Sequence, residues 1–199
     1  MNATTLATEA TLLRNPLAKP EHRWPAPDPS VWVFHRRMPA YRATTLYDCP
    51  ELARRYGVGR VLVKAETQRL GLPSFKILGA SWATYRALSD PLGFEPEPWA
   101  NINDLSRRIG YLRPFSLAAA TDGNHGRAVA FMARLLGFGC RIFVPAGTVP
   151  ARIHAIQNEG AEVTVVDGDY DAAVARSVEE ASDKCLVISD TSWPGYDVT

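Results

Sequence analysis

The stretch Phe115-Ser-Leu-Ala-Ala-Ala-Thr-Asp-Gly-Asn-His-Gly-Arg127 opens a regular pattern that continues through Ala128 to Ser189. Phe115 to Ala120 is a short apolar run of strand length. Gly126 to Leu136 follows with helical spacing of small and apolar residues, closed by Gly137. Cys140 to Val144 predicts the next strand. Pro150 to Asn158 predicts a helix with proline in its first turn and Gly160 beyond its end, and the β-branched run Glu162 to Val166 predicts a third strand. Asp169 stands where an N-cap belongs, Val174, Val178 and Ala181 share one face of the helix after it, and Leu186 to Ser189 predicts a fourth strand. The order is βαβαβαβ. Strands joined by helical crossovers run parallel, so the expected fold class is α/β with an open, doubly wound, mostly parallel sheet. Ligands of such sheets bind beyond the carboxyl ends of the strands, here the loops after Ala120, Val144, Val166 and Ser189.

Upstream the sequence is less regular. Met1 to about Ser30 is polar and punctuated by Pro16, Pro20, Pro25, Pro27 and Pro29, which predicts an extended arm. Arg60 to Glu66 reads as a strand, Gly71 to Ser74 as a turn, and Phe75 to Leu88 as a helix with Leu78, Trp82 and Tyr85 in helical register. Ser89 to Pro114 holds four prolines and one amphipathic stretch near Ile102 to Ile109, as an insertion carrying one helix would.

Composition bounds the function. The chain has 199 residues, 46% hydrophobic and 22% charged, the make-up of a soluble globular protein able to bury a core. A net charge of +1 leaves no basic excess for a phosphate backbone, so nucleic acid is not an expected partner. Cys49, Cys140 and Cys185 form no CxxC pair, so no metal site is expected and the thiols read as reduced. Glu9 and Arg14 break any apolar run near the N-terminus, so no membrane partner is expected and the cytoplasm is the expected location. Neither GxGxxG nor GxxxxGK[ST] occurs, which argues against a nicotinamide or P-loop module.

Two segments carry chemistry. Of the four lysines, Lys19, Lys64, Lys76 and Lys184, only Lys76 lies in an apolar turn-to-helix context, Pro73-Ser-Phe-Lys-Ile-Leu-Gly79. Desolvation there favours the neutral amine that attacks an aldehyde, although a lysine snorkelling at a helix start fits the same residues. In the loop Thr121 to Gly126, Asn124 offers a donor and an acceptor. Asp122 fits either proton transfer or an Asx turn, and His125 fits a satisfied or solvent-facing histidine better than a catalytic one.

These segments, with Val63-Lys-Ala-Glu66, Arg69-Leu-Gly-Leu-Pro-Ser-Phe-Lys-Ile-Leu-Gly-Ala80 and Asp190-Thr-Ser-Trp-Pro-Gly-Tyr196, resemble the fold-type II family of pyridoxal-phosphate enzymes. Within it they are most similar to the diaminopropionate ammonia-lyases, in which an aspartate stands at the position of Asp122 where many relatives have serine. The resemblance implies pyridoxal 5'-phosphate as cofactor, Lys76 as its Schiff-base residue, Phe75 packed near it, and Asn124 bonded to its ring hydroxyl. Lys76, Asp122 and Asp190 are then the catalytic candidates. The implied reaction is α,β-elimination of a small amino acid, 2,3-diaminopropionate, to pyruvate and ammonia. A threonine or serine dehydratase, or a non-catalytic remnant of the fold, is the alternative. The resemblance divides the chain into residues 1–74, an arm and a contribution to the family's larger domain, and residues 75–199, its smaller domain with an insertion at about 89–114. The family's glycine-rich phosphate loop has no counterpart after Gly168, where only Gly195 occurs. The chain is therefore expected to be truncated, with the second half of the fold absent and activity incomplete, and the full-length form is expected to be a homodimer.

Overall fold

The computed structural model describes residues 26–92 and 98–191, together with Pro16 and Glu21. The first helix, α1, runs over Pro29–Arg36. Asp28 caps it by accepting from the Ser30 amide at 2.9 Å, and Pro29 occupies the first turn, where a missing N–H costs nothing. The expected extended arm is thus corrected at its end, because Pro29 and Ser30 are already helical; residues 1–15, 17–20 and 22–25 lie outside the described residues. Strand β1 (Leu46–Asp48), helix α2 (Pro50–Tyr56) and strand β2 (Leu62–Lys64) follow, with β1 and β2 antiparallel and Tyr47 opposite Val63. The strand expected over Arg60 to Glu66 is therefore shorter, and both faces of this small ribbon are exposed.

Helix α3 spans Lys76–Leu92, four residues past its expected end at Leu88, so the interruption after it begins later than expected. Asn101 caps helix α4 (Ile102–Arg108), its Oδ1 accepting from the amides of Asn103 and Asp104. A single 3-10 turn, Gly110–Leu112, adds an element the proline-rich reading did not include. Residues 93–97 lie outside the described residues. The rest of the segment is anchored, since Trp99, Ile102, Leu105 and Ile109 are buried in the main core with Ile77, Tyr85 and Leu88 of α3.

The remaining elements alternate as expected: β3 (Ser116–Ala120), α5 (Asn124–Leu136), β4 (Gly139–Pro145), α6 (Pro150–Gln157), β5 (Glu162–Val166), α7 (Tyr170–Val178) and β6 (Cys185–Val187). Their sheet is wholly parallel in the order β5-β4-β3-β6. Leu117, Ala119, Ile142 and Val144 face α3, α5 and α6. Ala118, Ala120 and Phe143 face α7 through Ala173. Alternate residues of each strand thus serve opposite layers, and the alanines of β3 let helices approach both faces closely. The reading of α7 needs one correction. The helix ends at Val178 and buries Ala173 and Ser177, whereas Val178 is 37% exposed and Ala181 lies beyond the end. Asp169 does cap it, accepting from the Ala172 amide at 3.0 Å.

Strands β3, β4 and β5 step across the sheet in one direction, and the chain then returns through α7 to place β6 on the other side of β3. The crossover helices α5 and α6 pack on one face of the sheet and α7 on the other, so the winding reverses between β3 and β6. Such a reversal opens a crevice at the carboxyl ends of the two strands.

Candidate active site

Three segments meet at that crevice: the start of α3, the first turn of α5, and the residues after β6. The cleft has a volume of about 260 Å³, and its walls include Phe75, Lys76, Gly79, Ala80, His125 and Asp190. Lys76 Nζ donates to Asp190 Oδ2 at 3.0 Å, with the two side chains 39% and 23% exposed. Tyr170, the first residue of α7, donates its hydroxyl to the other carboxylate oxygen, Oδ1, at 2.7 Å. Apolar neighbours do stand beside the Lys76 amine, in Phe75, Ala80 and Ala83, but the amine itself is open to the cleft and its partner is a carboxylate.

Burial pushes the Asp190 carboxyl up, but the Tyr170 hydroxyl and the charges of His125 and Lys76 outweigh it and hold it below the usual carboxylate range. The phenol of Tyr170 is raised, first by burial and then by its bond to Asp190. His125 is 4% exposed, its Nε2 lies 2.7 Å from the Ile188 carbonyl, and burial lowers its pKa. It is thus the satisfied, buried histidine of the two alternatives, and it ties the first turn of α5 to the end of β6.

Thr121 sets the turn between β3 and α5. Its buried Oγ1 accepts from the amides of Gly123 at 2.9 Å and Gly126 at 3.0 Å, satisfying donors at a helix start that has no conventional side-chain cap. Gly126 is where the helix meets the sheet. A Cβ on it would lie 2.8 Å from Ile142 Cγ2 and nearer still to Thr121, so no larger residue fits.

Phe75 stands at the rim of the cleft, 58% exposed. Asp122 and Asn124 turn to a neighbouring pocket of about 120 Å³, shared with Gly123, Arg127 and Arg152. There Arg152 Nη1 donates to the Asp122 carbonyl at 2.8 Å and lies 3.6 Å from its carboxylate, whose side chain is 78% exposed. The structure thus brings together Phe75, Lys76 and Asp190 and leaves Asp122 and Asn124 on the adjoining ledge. Tyr170 and Arg152 were missed by the sequence reading. The signal for Tyr170 was present, because an N-cap at Asp169 puts residue 170 in a first turn at the carboxyl end of β5. The stretch from Ser192 to Tyr196, part of the motif after Asp190, lies outside the described residues. Among the described residues no cluster of histidine, cysteine or carboxylate side chains is arranged to hold a metal ion, and no helix is long and apolar enough to cross a membrane.

Comparison with known proteins adds chemistry to this geometry. The family model described as pyridoxal-phosphate dependent enzyme matches residues 37–197. The diaminopropionate ammonia-lyase of Escherichia coli (strain K12) is 38% identical over 164 residues, covering 82% of this chain and 40% of that protein. A crystal structure of the E. coli enzyme in complex with D-serine superposes with a TM-score of 0.77 at 37% identity, over 84% of this chain and 43% of the other. A biosynthetic L-threonine dehydratase of Pasteurella multocida (strain Pm70) is 29% identical over 143 residues, 72% of this chain and 23% of that protein. The chain spans about two-fifths of the length of the ammonia-lyases it matches.

Proposed function

Because the chain belongs to the pyridoxal-phosphate dependent enzyme family, we propose that it forms part of an ammonia-lyase that converts 2,3-diaminopropionate to pyruvate and ammonia by α,β-elimination. The observation that carries this reading is the Lys76–Asp190 pair, an amine and a carboxylate in contact inside the crevice where sheets of this kind bind ligands. Identity of 38% to a diaminopropionate ammonia-lyase supports the choice of substrate.

The residues present fit the family's cofactor. Lys76 supplies an amine to hold its aldehyde carbon, and Gly79, Ala80 and Ala83 leave a wall with little side-chain bulk beside that amine. Phe75 at the rim is placed to cover the ring, and Asn124 is the candidate partner for the ring hydroxyl. When bound, the cofactor supplies an electron sink that eases loss of the α-proton of an amino acid. The chain's own part is to position and move protons. Asp190, kept anionic by its neighbours, is a base at the cleft wall. Lys76 would hold the cofactor through its amine and would be the group to give way to the amine of a substrate. Asp122 is the second proton-handling carboxylate, approaching from the ledge beside Asn124.

Residues 75–199 are proposed to be the smaller domain of the family fold and residues 1–74 an arm with a contribution to the larger one, in a cytoplasmic protein that is a homodimer at full length. A threonine or serine dehydratase is the second reading, favoured by the 29% identity to the P. multocida enzyme. Asp122 weighs against it, since a carboxylate at the ledge suits a substrate with a second amine better than one with a hydroxyl.

The test is reductive trapping. After incubation with pyridoxal phosphate and borohydride, peptide mapping should place the label on Lys76, and Lys76→Ala should lose it. Label confined to Lys64 or Lys184 would overturn the reading.

A further inference from the structure

We propose that Tyr170 is a positioning residue for Asp190, occupying Oδ1 with its hydroxyl so that Oδ2, the oxygen facing Lys76, is the one at which protons are exchanged; this rests on the role given above to Lys76 and Asp190. The two oxygens are already distinguished in the structure. Oδ1 accepts from the phenol at 2.7 Å and Oδ2 from the Lys76 amine at 3.0 Å. These partners differ in permanence. The amine must leave Asp190 to do its own chemistry, and Oδ2 then stands open to the cleft. The phenol has no such duty, and its raised pKa keeps its proton in place throughout the working range.

The mounting of Tyr170 supports the role. It sits in the first turn of α7, a helix capped by Asp169 and fixed to the sheet by the buried Ala173 and Ser177, so its hydroxyl is delivered from a rigid element. The groups that face Asp190 come from three elements: Lys76 from α3, His125 from α5 and Tyr170 from α7. Asp122 and Asp171 act in turn on Tyr170, both raising its pKa. The hydrogen bond from the Tyr170 hydroxyl is the largest single cause that lowers the Asp190 carboxyl, ahead of the charge of His125 and of either the bond or the charge of Lys76 taken singly. Without it, burial gains ground and the carboxylate is a poorer anion once Lys76 withdraws.

Carboxyl NMR on the 199-residue chain carrying 13C-labelled aspartate, with Asp190→Asn to assign the resonance, tests this without cofactor. Tyr170→Phe should raise the Asp190 midpoint by about one pH unit. Coupling between two sites is reciprocal, so Asp190→Asn should lower the Tyr170 midpoint, read by NMR of ring-13C-labelled tyrosine, which separates the seven tyrosines that bulk absorbance sums. That measurement decides the matter if Tyr170→Phe does not fold. In cofactor trapping, Tyr170→Phe should still label Lys76. An Asp190 midpoint unchanged in Tyr170→Phe, or a Tyr170 midpoint unchanged in Asp190→Asn, overturns the proposal. Loss of Lys76 labelling in the unaltered chain would overturn the enzyme reading instead, and leaves both titrations able to judge Tyr170.

Discussion

Lys76 Nζ and Asp190 Oδ2 are 3.0 Å apart although 114 residues separate them in the chain. The contact exists because α3 begins at the crevice and β6 ends there. If Asp190 is a working base, Asp190→Asn in the full-length enzyme should slow elimination by on the order of a hundredfold, the usual worth of a positioned acid or base. Lys76 should remain open to reductive labelling. Steady-state rates and peptide mapping on the same preparation separate the two effects, and an unaltered rate would remove Asp190 from the chemistry.

Arg152 anchors the Asp122 loop through the main-chain carbonyl, which leaves the Asp122 carboxylate exposed. In the full-length protein, Asp122→Asn is expected to cut turnover by roughly a hundredfold with the bound cofactor's absorbance intact. Loss of the absorbance along with the rate would show that Asp122 shapes the turn and does no proton chemistry.

Glu66 and Arg69 tie the end of β2 to the segment before β1. Arg69 donates to both carboxylate oxygens at 2.6 Å, and Thr44 donates to Oε1 at 2.7 Å. The bond from Arg69 holds the Glu66 carboxyl at about 2, well below its ordinary value of 4.5. A depressed carboxylate stabilises the fold above its unfolded pKa, and that contribution is lost as pH falls through the folded one. Glu66→Gln should therefore lower Tm at pH 7 by about 5 °C, from a loss of ~2 kcal/mol for a partly buried guanidinium left short of its partner. The gap from the unaltered chain should narrow between pH 4.5 and about 2. A gap constant across that window would mean that the ion pair does not set it.

Gly126→Ala tests the packing of α5 on the sheet. The added methyl would press on Ile142 and Thr121, and overpacking of this kind costs about 1–3 kcal/mol. It also strains the Thr121 hydroxyl away from the two amides it serves. Urea unfolding should show a lower midpoint with an unchanged slope. Stability equal to that of the glycine protein would show that the interface yields.

The sequence was most informative where strands and helices alternate in one parallel sheet. From Phe115 onward each strand is a short apolar or β-branched run, and α5 and α6 have a glycine at or just past their ends, such as Gly137 at φ +70, whereas α7 ends at Val178 without such a mark and was read too long. The small ribbon was half legible: β2 was anticipated, but β1 has three residues, all exposed, and becomes a strand only by pairing with β2. Helix α1 was hidden by Pro29, which reads as part of a proline-rich arm yet occupies the one helical position that suits it. Lys76, Phe75, Asp122, Asn124 and Asp190 were named from motif and resemblance. Their division between cleft and ledge was not legible, because it depends on the strand order β5-β4-β3-β6, which spacing along the chain does not encode.

That strand order also dictates when the crevice comes into being during synthesis. Lys76, the Asp122 loop, β3, β4 and β5 all precede β6 in the chain, so a nascent chain can build three strands while one edge of β3 stays bare. β3 is largely apolar, and an open edge of that kind is a template for adding a strand from another molecule. Docking of β6 performs two tasks at once, closing that edge and carrying Asp190 to Lys76. β6 thus shields the apolar β3 edge and also brings the Lys76–Asp190 pair together, so conditions that delay its docking leave the edge bare and the pair apart at the same time.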